Sequence, residues 1–236
     1  MKRIIPGLYS FTGLVLGRVY AIEDADGLTL IDTSILHAPY QILRQLRAVG
    51  HEPSDIKRIL VTHAHPDHIG GLWKLHALTG ARVIASAIER PVIEGRSPIA
   101  RRPLGSLSHA GRLLRPPRIV LRGTPVEQGV EDGDVLSDVM GGLIVVATPG
   151  HTPGHLSFWQ PQKRLLFCGD VIAASLGLRL PSPTWTVDMA ENRRSVARIA
   201  ELDAQLVCFG HGDPLRRNAA ETIRAFARKV ALPGGK

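Results

Sequence analysis

The sequence predicts an α/β fold in a single domain, with short apolar strands that gather reactive side chains along one edge. Three observations predict it. Four apolar runs end in small residues and then deliver a metal-competent side chain: Arg58 to Thr62 before His63, Leu143 to Gly150 before His151, Leu165 to Gly169 before Asp170, and Leu206 to Gly210 before His211. Runs of that length suit strands covered on both faces, and loops at strand ends are where rigid scaffolds place chemistry. Between the runs lie stripes at helical spacing, such as Ile42, Leu43, Leu46 and Val49 before Gly50. Finally, Thr62-His63-Ala64-His65-Pro66-Asp67-His68-Ile69-Gly70-Gly71 packs three imidazoles and a carboxylate into six residues, a density that calls for metal.

Taken in order, Ile4 to Ile31 reads as an antiparallel meander, with Leu14-Val15-Leu16 and Val19-Tyr20-Ala21-Ile22 as strands and Glu23 to Gly27 as a turn. It ends on Leu28-Thr29-Leu30-Ile31, which delivers Asp32. In the metal-rich stretch His63 and His65 fall on the same side of an extended chain, so one ion can take both. Pro66 disfavours helix at His65, which leaves Asp67 and His68 at a strand-to-helix corner within reach of a second ion. Leu72, Leu75 and Leu78 before Gly80 form a helical stripe with a glycine cap. Arg82 to Ala85 is a further strand.

Between Arg90 and Arg122 eight arginines (90, 96, 101, 102, 112, 115, 118 and 122) meet one acid, Glu94. Pro91, Pro98, Pro103, Pro116 and Pro117 exclude one long helix there, so short helices joined by turns are expected. The ordinary reading of this basic section, about 90–122, is a solvated insertion; the functional one is a cap over the metal site that favours anionic substrates. Strands from Pro125 to Phe167 precede two helices, with Asp188/Glu191 and Asn218/Glu221 as capping pairs. Ala173 to Thr186, with Pro181, Pro183 and Trp185, either walls a substrate pocket or simply connects. No repeat and no dividing linker appears, so residues 1–236 read as one domain.

Composition narrows the function classes. No stretch approaches about 18 consecutive apolar residues, which gives no support to a membrane span. Met1 to Gly7 breaks before a signal peptide's apolar region forms, so a cytoplasmic location is expected. A net charge of +8 invites nucleic acid, but no exosite arm or extra domain accompanies the arginines. Cys168 and Cys208 sit in apolar strand patterns and read as buried thiols, neither bridged nor ligating. His37, His51, His76 and His109 lie in no pattern; His155, four residues after His151, suits a supporting or packing role.

With H-x-H-x-D-H at His63 to His68, His151 in TPGHTPGH, Asp170 in FCGD, His211 in FGHGD and Asp32 in TLIDT, the chain resembles the metallo-β-lactamase superfamily. The resemblance runs from about the first strand to the last helix. It implies a four-layer αββα sandwich with a two-metal site: His63, His65 and His151 around one ion, Asp67, His68 and His211 around the other, and Asp170 bridging them. Asp32 would be the acceptor that holds the His63 loop. Asp67 and Asp170 would be the carboxylates that bear on catalysis. A lone histidine after a strand is ordinarily a surface or capping residue; an ordered set of seven is not explained that way.

Two divalent ions sharing a water can lower its pKa and clamp the oxygens that gain charge, which makes hydrolysis the expected reaction. Zinc suits the mixed imidazole and carboxylate donors first, with iron and manganese compatible. The bridging carboxylate resembles the glyoxalase II and lactonase branches, so a thioester, lactone or other ester of a small molecule is the expected substrate, an anionic one if the basic section caps the site. The short stretch after His211 leaves little room for the glutathione-binding helical domain of glyoxalase II. TPGHTPGH resembles the quorum-quenching lactonases, yet tyrosines stand only at 9, 20 and 40, so none follows Asp170. A mononuclear iron persulfide dioxygenase and a metal-dependent phosphodiesterase or nuclease are the alternatives. Nothing in the sequence sets an oligomeric state.

Overall fold

Period-two burial in the strands divides the apolar residues among three interfaces, and these build the layers. The computed structural model describes residues 1–103, 105, 113 and 115–231; Arg112, His109 and the stretch from Pro233 to Lys236 lie outside them. The first sheet runs β1 (Lys2–Ile5), β2 (Leu8–Ser10), β3 (Tyr20–Asp24), β4 (Gly27–Ile31), β5 (Ile56–Leu60), β6 (Arg82–Ser86) and β7 (Gln128–Val130) in that spatial order. It is antiparallel up to β4 and parallel from β4 to β7. In the second sheet β8 (Val135–Leu136), β9 (Leu143–Ala147), β10 (Leu156–Gln160), β11 (Leu165–Gly169) and β12 (Leu206–Phe209) lie side by side. Only its β11–β12 pair is parallel.

Helices α1 (Ala38–Arg47), α2 (Pro66–Ile69), α3 (Leu72–Thr79) and α4 (Arg90–Ile93) belong to the first half, α5 (Met189–Ala200) and α6 (Ala219–Ala231) to the second. Leu30, Ile59 and Val83 pack with Ile42, Leu46, Leu72 and Leu75 of α1 and α3. Their strand neighbours Ile31, Leu60 and Ile84 turn the other way, against Val145, Phe158 and Phe167 of the second sheet. Val146, Leu166, Val207 and Phe209 face Val196, Ile199, Ile223 and Phe226 of α5 and α6. Helices, sheet, sheet, helices is therefore the order of layers, as the αββα expectation has it. Each fully buried Leu, Ile or Phe contributes roughly 1.5–3 kcal/mol.

Three local expectations fail, the first being Val49, which lies past the end of α1 and is 56% exposed. Leu14-Val15-Leu16 is no strand: the hairpin β1–β2 takes its place in the meander, and Val15 and Leu16 are 78% and 52% exposed. Gly13 and Gly17 flank it at φ 72 and 65, a left-handed backbone that cannot continue a strand. Leu78, at 51% exposure, leaves the stripe of α3, because each step of three residues falls about 60° short of a full turn. The glycine cap does hold, with Gly80 at φ 65.

The topology aims the reactive loops at one edge. β11 and β12 are parallel, and β10 is antiparallel to both β9 and β11, so β9, β11 and β12 all point the same way. Their C-terminal ends deliver His151, Asp170 and His211, while the parallel pair β4 and β5 delivers Asp32 and His63.

Candidate metal centre

The His63 loop leaves β5 extended, and Pro66 opens α2 with His65 still at φ −97, ψ 153. His63 and His65 consequently meet on one side, Nε2 to Nδ1 at 3.1 Å. Donor atoms of His63, His65 and His151 all lie within 4.8 Å of one another, as do those of Asp67, His68 and His211, and those of His63, His68 and Asp170. Asp170 stands between the first two groups: Oδ2 is 3.5 Å from His151 Nε2 and 3.3 Å from His211 Nε2, and Oδ1 is 3.5 Å from His68 Nε2. All seven residues the sequence nominates are gathered here.

Neighbouring hydroxyls decide which imidazole nitrogen carries the proton. Thr62 Oγ1 has one proton and spends it on Asp32 Oδ2 at 2.8 Å, so it accepts from His63 Nδ1 at 3.0 Å. Thr186 Oγ1 donates to the Ser182 carbonyl and likewise accepts from His151 Nδ1 at 3.2 Å. His68 Nδ1 donates to Asp32 Oδ2 at 2.8 Å. In His63 and His151 Nε2 is left as the lone pair, and in His68 it is the nitrogen turned to Asp170, which is how carboxylate and hydroxyl partners orient histidine for a cation. Asp32, at φ 60, also takes the Thr62 backbone N–H at 2.9 Å, so its carboxylate ties the start of the His63 loop to the end of β4.

The donor set fits a metal. His65 Nε2, His68 Nε2, His151 Nε2 and Asp170 Oδ1 are buried without a partner in hydrogen-bonding geometry among the described residues. Each such atom carries an unmet desolvation cost of about 1–3 kcal/mol, which a cation's coordination offsets. Burial, and then the neighbouring imidazoles, push His63 and His151 well below the ordinary range and His65 to about 4. Burial also opposes charge on His68, but Asp170, Asp67 and Asp32 outweigh it and raise its pKa well above normal. Hydrogen bonds to Asp170 and Asp67 lift His211 to about 9. For Asp170 burial works upward, yet the charge of His68 and the bonds from His211 and His68 hold it well below the carboxylate range. His63, His65 and His151 are therefore held neutral, whereas His68 and His211 take protons against the ionised carboxylates and would give them up to a divalent cation.

Two supports escape the sequence reading in part or whole. His155 accepts the Asp170 backbone N–H on Nε2 at 3.0 Å and turns Nδ1 to Thr148 at 2.8 Å, the supporting role expected of it. Glu89 was not anticipated. Its Oε1 takes the Gly154 N–H at 2.8 Å and its Oε2 the Ala64 N–H at 3.2 Å, which ties the His63–His65 loop to the His151–His155 loop. It follows β6 through Ala87 and Ile88, so the pattern of strand, short turn and ionisable group was present to be read.

The loop between β2 and β3 straps the site. Gly17 lies so close to α2 that a Cβ there would sit 1.9 Å from the Asp67 carbonyl oxygen, and Arg18 N–H donates to the Gly210 carbonyl at 2.7 Å. Gly210 has its own reason to lack a side chain, since a Cβ would fall 2.0 Å from Asp170 Oδ1. The strap sets Leu16 in the wall of a cavity of about 740 Å³, together with Ile35, Leu180, Trp185, His65, Asp67, His151, Asp170 and His211. Ala173 to Trp185 forms much of that wall, so the segment after Asp170 is more than a connector. Among the described residues none between 90 and 122 lines the cavity. Arg90 and Arg96 pair with Glu94, and Arg122 stacks 3.7 Å over Trp73.

The family model of the metallo-beta-lactamase superfamily matches residues 12–211. The chain belongs to the metallo-β-lactamase superfamily. Within it, the chain is similar to the probable metallo-hydrolase YybB of Bacillus subtilis, at 27% identity over 84% of this chain and 81% of the relative. It is 31% identical to a hydroxyacylglutathione hydrolase of Fuscovulum blasticum over 76% of its own length, and it spans 57% of that enzyme. A metallo-β-lactamase family protein of Thermus thermophilus superposes with a TM-score of 0.71 at 26% identity, covering 98% of this chain and 85% of that one. As their apolar strand patterns lead one to expect, Cys168 and Cys208 are buried and free.

Proposed function

We propose that this superfamily member is a two-cation hydrolase that cleaves a thioester, lactone or other ester of a small molecule. The observation that carries the reading is Asp170, whose two oxygens face both three-residue donor groups at once. His63, His65 and His151 would hold one divalent cation, Asp67, His68 and His211 the other, with Asp170 shared; zinc suits these donors first, then iron or manganese. Bound there, the cations would activate a water and polarise a carbonyl.

The chain's own residues do the rest. Asp32 and the hydroxyls of Thr62 and Thr186 keep the Nε2 lone pairs turned inward. Asp67 and Asp170, whose Oδ2 atoms lie 3.1 and 3.3 Å from His211 Nε2, would be the carboxylates through which a proton passes from water to the leaving group. Leu16, Ile35, Leu180 and Trp185 give the acyl portion an apolar wall and limit the entry of bulk water. The similarity to hydroxyacylglutathione hydrolases is consistent with acyl chemistry. The complete Asp67, His68 and His211 group supports two cations over a mononuclear iron centre.

Elemental analysis of the purified protein, joined to a panel of thioesters, lactones and phosphoesters, tests the reading. Two divalent ions per chain and turnover of acyl esters are expected. One iron per chain with sulfite production from a persulfide would overturn it.

A further inference from the structure

We propose that Arg179 is the specificity-determining cation of this cavity, and that the substrate carries an oxyanion group joined by an apolar spacer to the bond that is cut. The proposal rests on the hydrolase reading of the same site and names the substrate class within it. The loop after Asp170 turns back on itself: Ala173 and Arg179 exchange both backbone hydrogen bonds, at 3.0 and 2.9 Å. Ala174 N–H donates to the His211 carbonyl at 2.9 Å, which fastens the same loop to the opposite donor group. The backbone of Arg179 is thereby set relative to both Asp170 and His211.

The surroundings of Arg179 leave its charge available. Several exposed arginines elsewhere are paired with a carboxylate, as Arg18 with Asp213, Arg82 with Asp138 and Arg198 with Asp132. Arg179 forms no ion pair among the described residues, although it is exposed and lines the cavity. The carboxylates lining the same cavity are Asp67 and Asp170, and both face His68 and His211. Leu180, Pro181 and Trp185 flank it with apolar surface. On the loop wall formed by Ala173 to Trp185, where Ser175 and Ser182 are the other polar residues, Arg179 is the one cation and would recognise an anionic group on a largely apolar molecule; guanidinium geometry suits carboxylate, sulfonate or phosphate oxygens. The net charge of +8 draws the same ligands from solution.

A matched pair tests this on the metal-loaded protein: para-nitrophenyl hexanoate and the para-nitrophenyl monoester of adipic acid, which differ only in a terminal carboxylate. The wild type should prefer the anionic ester. Arg179→Gln should lower the anionic-to-neutral ratio of kcat/KM about tenfold through KM, the size expected for one charge-assisted hydrogen bond, and Arg179→Lys should restore part of it. A ratio equal in wild type and Arg179→Gln would overturn the proposal. Calorimetric titration with hexanesulfonate, against hexanol, separates the two readings. If no ester is cleaved but sulfonate binding weakens in Arg179→Gln, the anion site stands and the hydrolase reading falls. If both esters are cleaved and neither their ratio nor sulfonate binding responds, the hydrolase stands and the anion site falls.

Discussion

The two ends of β4 and β5 each bury a cluster of charge, and they treat it in opposite ways. At the N-terminal end Arg58 lies almost fully buried, with Nε on Thr29 Oγ1, Nη1 on Asp26 Oδ2 at 2.7 Å, and Nη2 reaching Asp24 and the Asp138 carbonyl. Its donors are spent on acceptors close by. At the C-terminal end Asp32, His63 and their companions leave several buried donor atoms without a partner. A satisfied cluster holds strands together; an unsatisfied one in the same sheet is kept for something that binds. Burial of charge alone does not distinguish structure from function, and the accounting of partners does.

Substitutions can break that contrast. Asp170→Asn should lower ester turnover by more than about a hundredfold, beyond the loss for a residue that only orients a ligand, while circular dichroism stays that of the wild type. Full activity would remove the assigned centre. Arg58→Met should do the reverse. It should cost about 2–4 kcal/mol in urea unfolding, below the fully buried range because Asp26 and Asp138 are half exposed, with turnover per folded molecule retained. Gly17→Ala tests the strap between the two regimes: its Cβ collides with Asp67 and its φ of 65 resists a side chain. A fall in kcat/KM of about ten- to a hundredfold is expected, as for a small misplacement of reacting groups.

The smallest effect is a pH dependence at the satisfied cluster. The hydrogen bond from Arg58 lowers the Asp26 pKa from 3.8 to about 2. Because the folded value is the lower one, the stabilisation is complete above the unfolded pKa and is lost as pH falls through about 2. Denaturation midpoints taken between pH 5 and pH 2, a window of about the shifted range, should decline more steeply in wild type than in Asp26→Asn. Parallel curves would show that the pair carries no linkage.

What could be read from sequence follows the reach of the forces involved. The same-side placement of His63 and His65, the corner at Pro66 and the stripes of α1, α5 and α6 depend on neighbours a few residues away, and all are present. Leu14 to Leu16 misled because an apolar triplet looks like a strand until the left-handed glycines beside it are weighed. Leu78 misled because a spacing of three drifts around a helix.

Glu89 follows a strand as the assigned residues do, but its partners, like the place of Arg179, lie far off in the chain, and the local pattern does not name them. The His63 to His68 cluster, the alternation of apolar residues and the caps at Gly80 and Asp188 were determined by the sequence alone, since each is settled within a turn or a strand. That Asp170 stands between two donor groups, that Arg90 and Arg96 turn to Glu94 and Arg122 to Trp73, and that Arg179 borders the cavity were decided only in the folded chain. Distances between separate strand ends are set by strand order and by the direction in which each strand runs, and no local spacing carries that information.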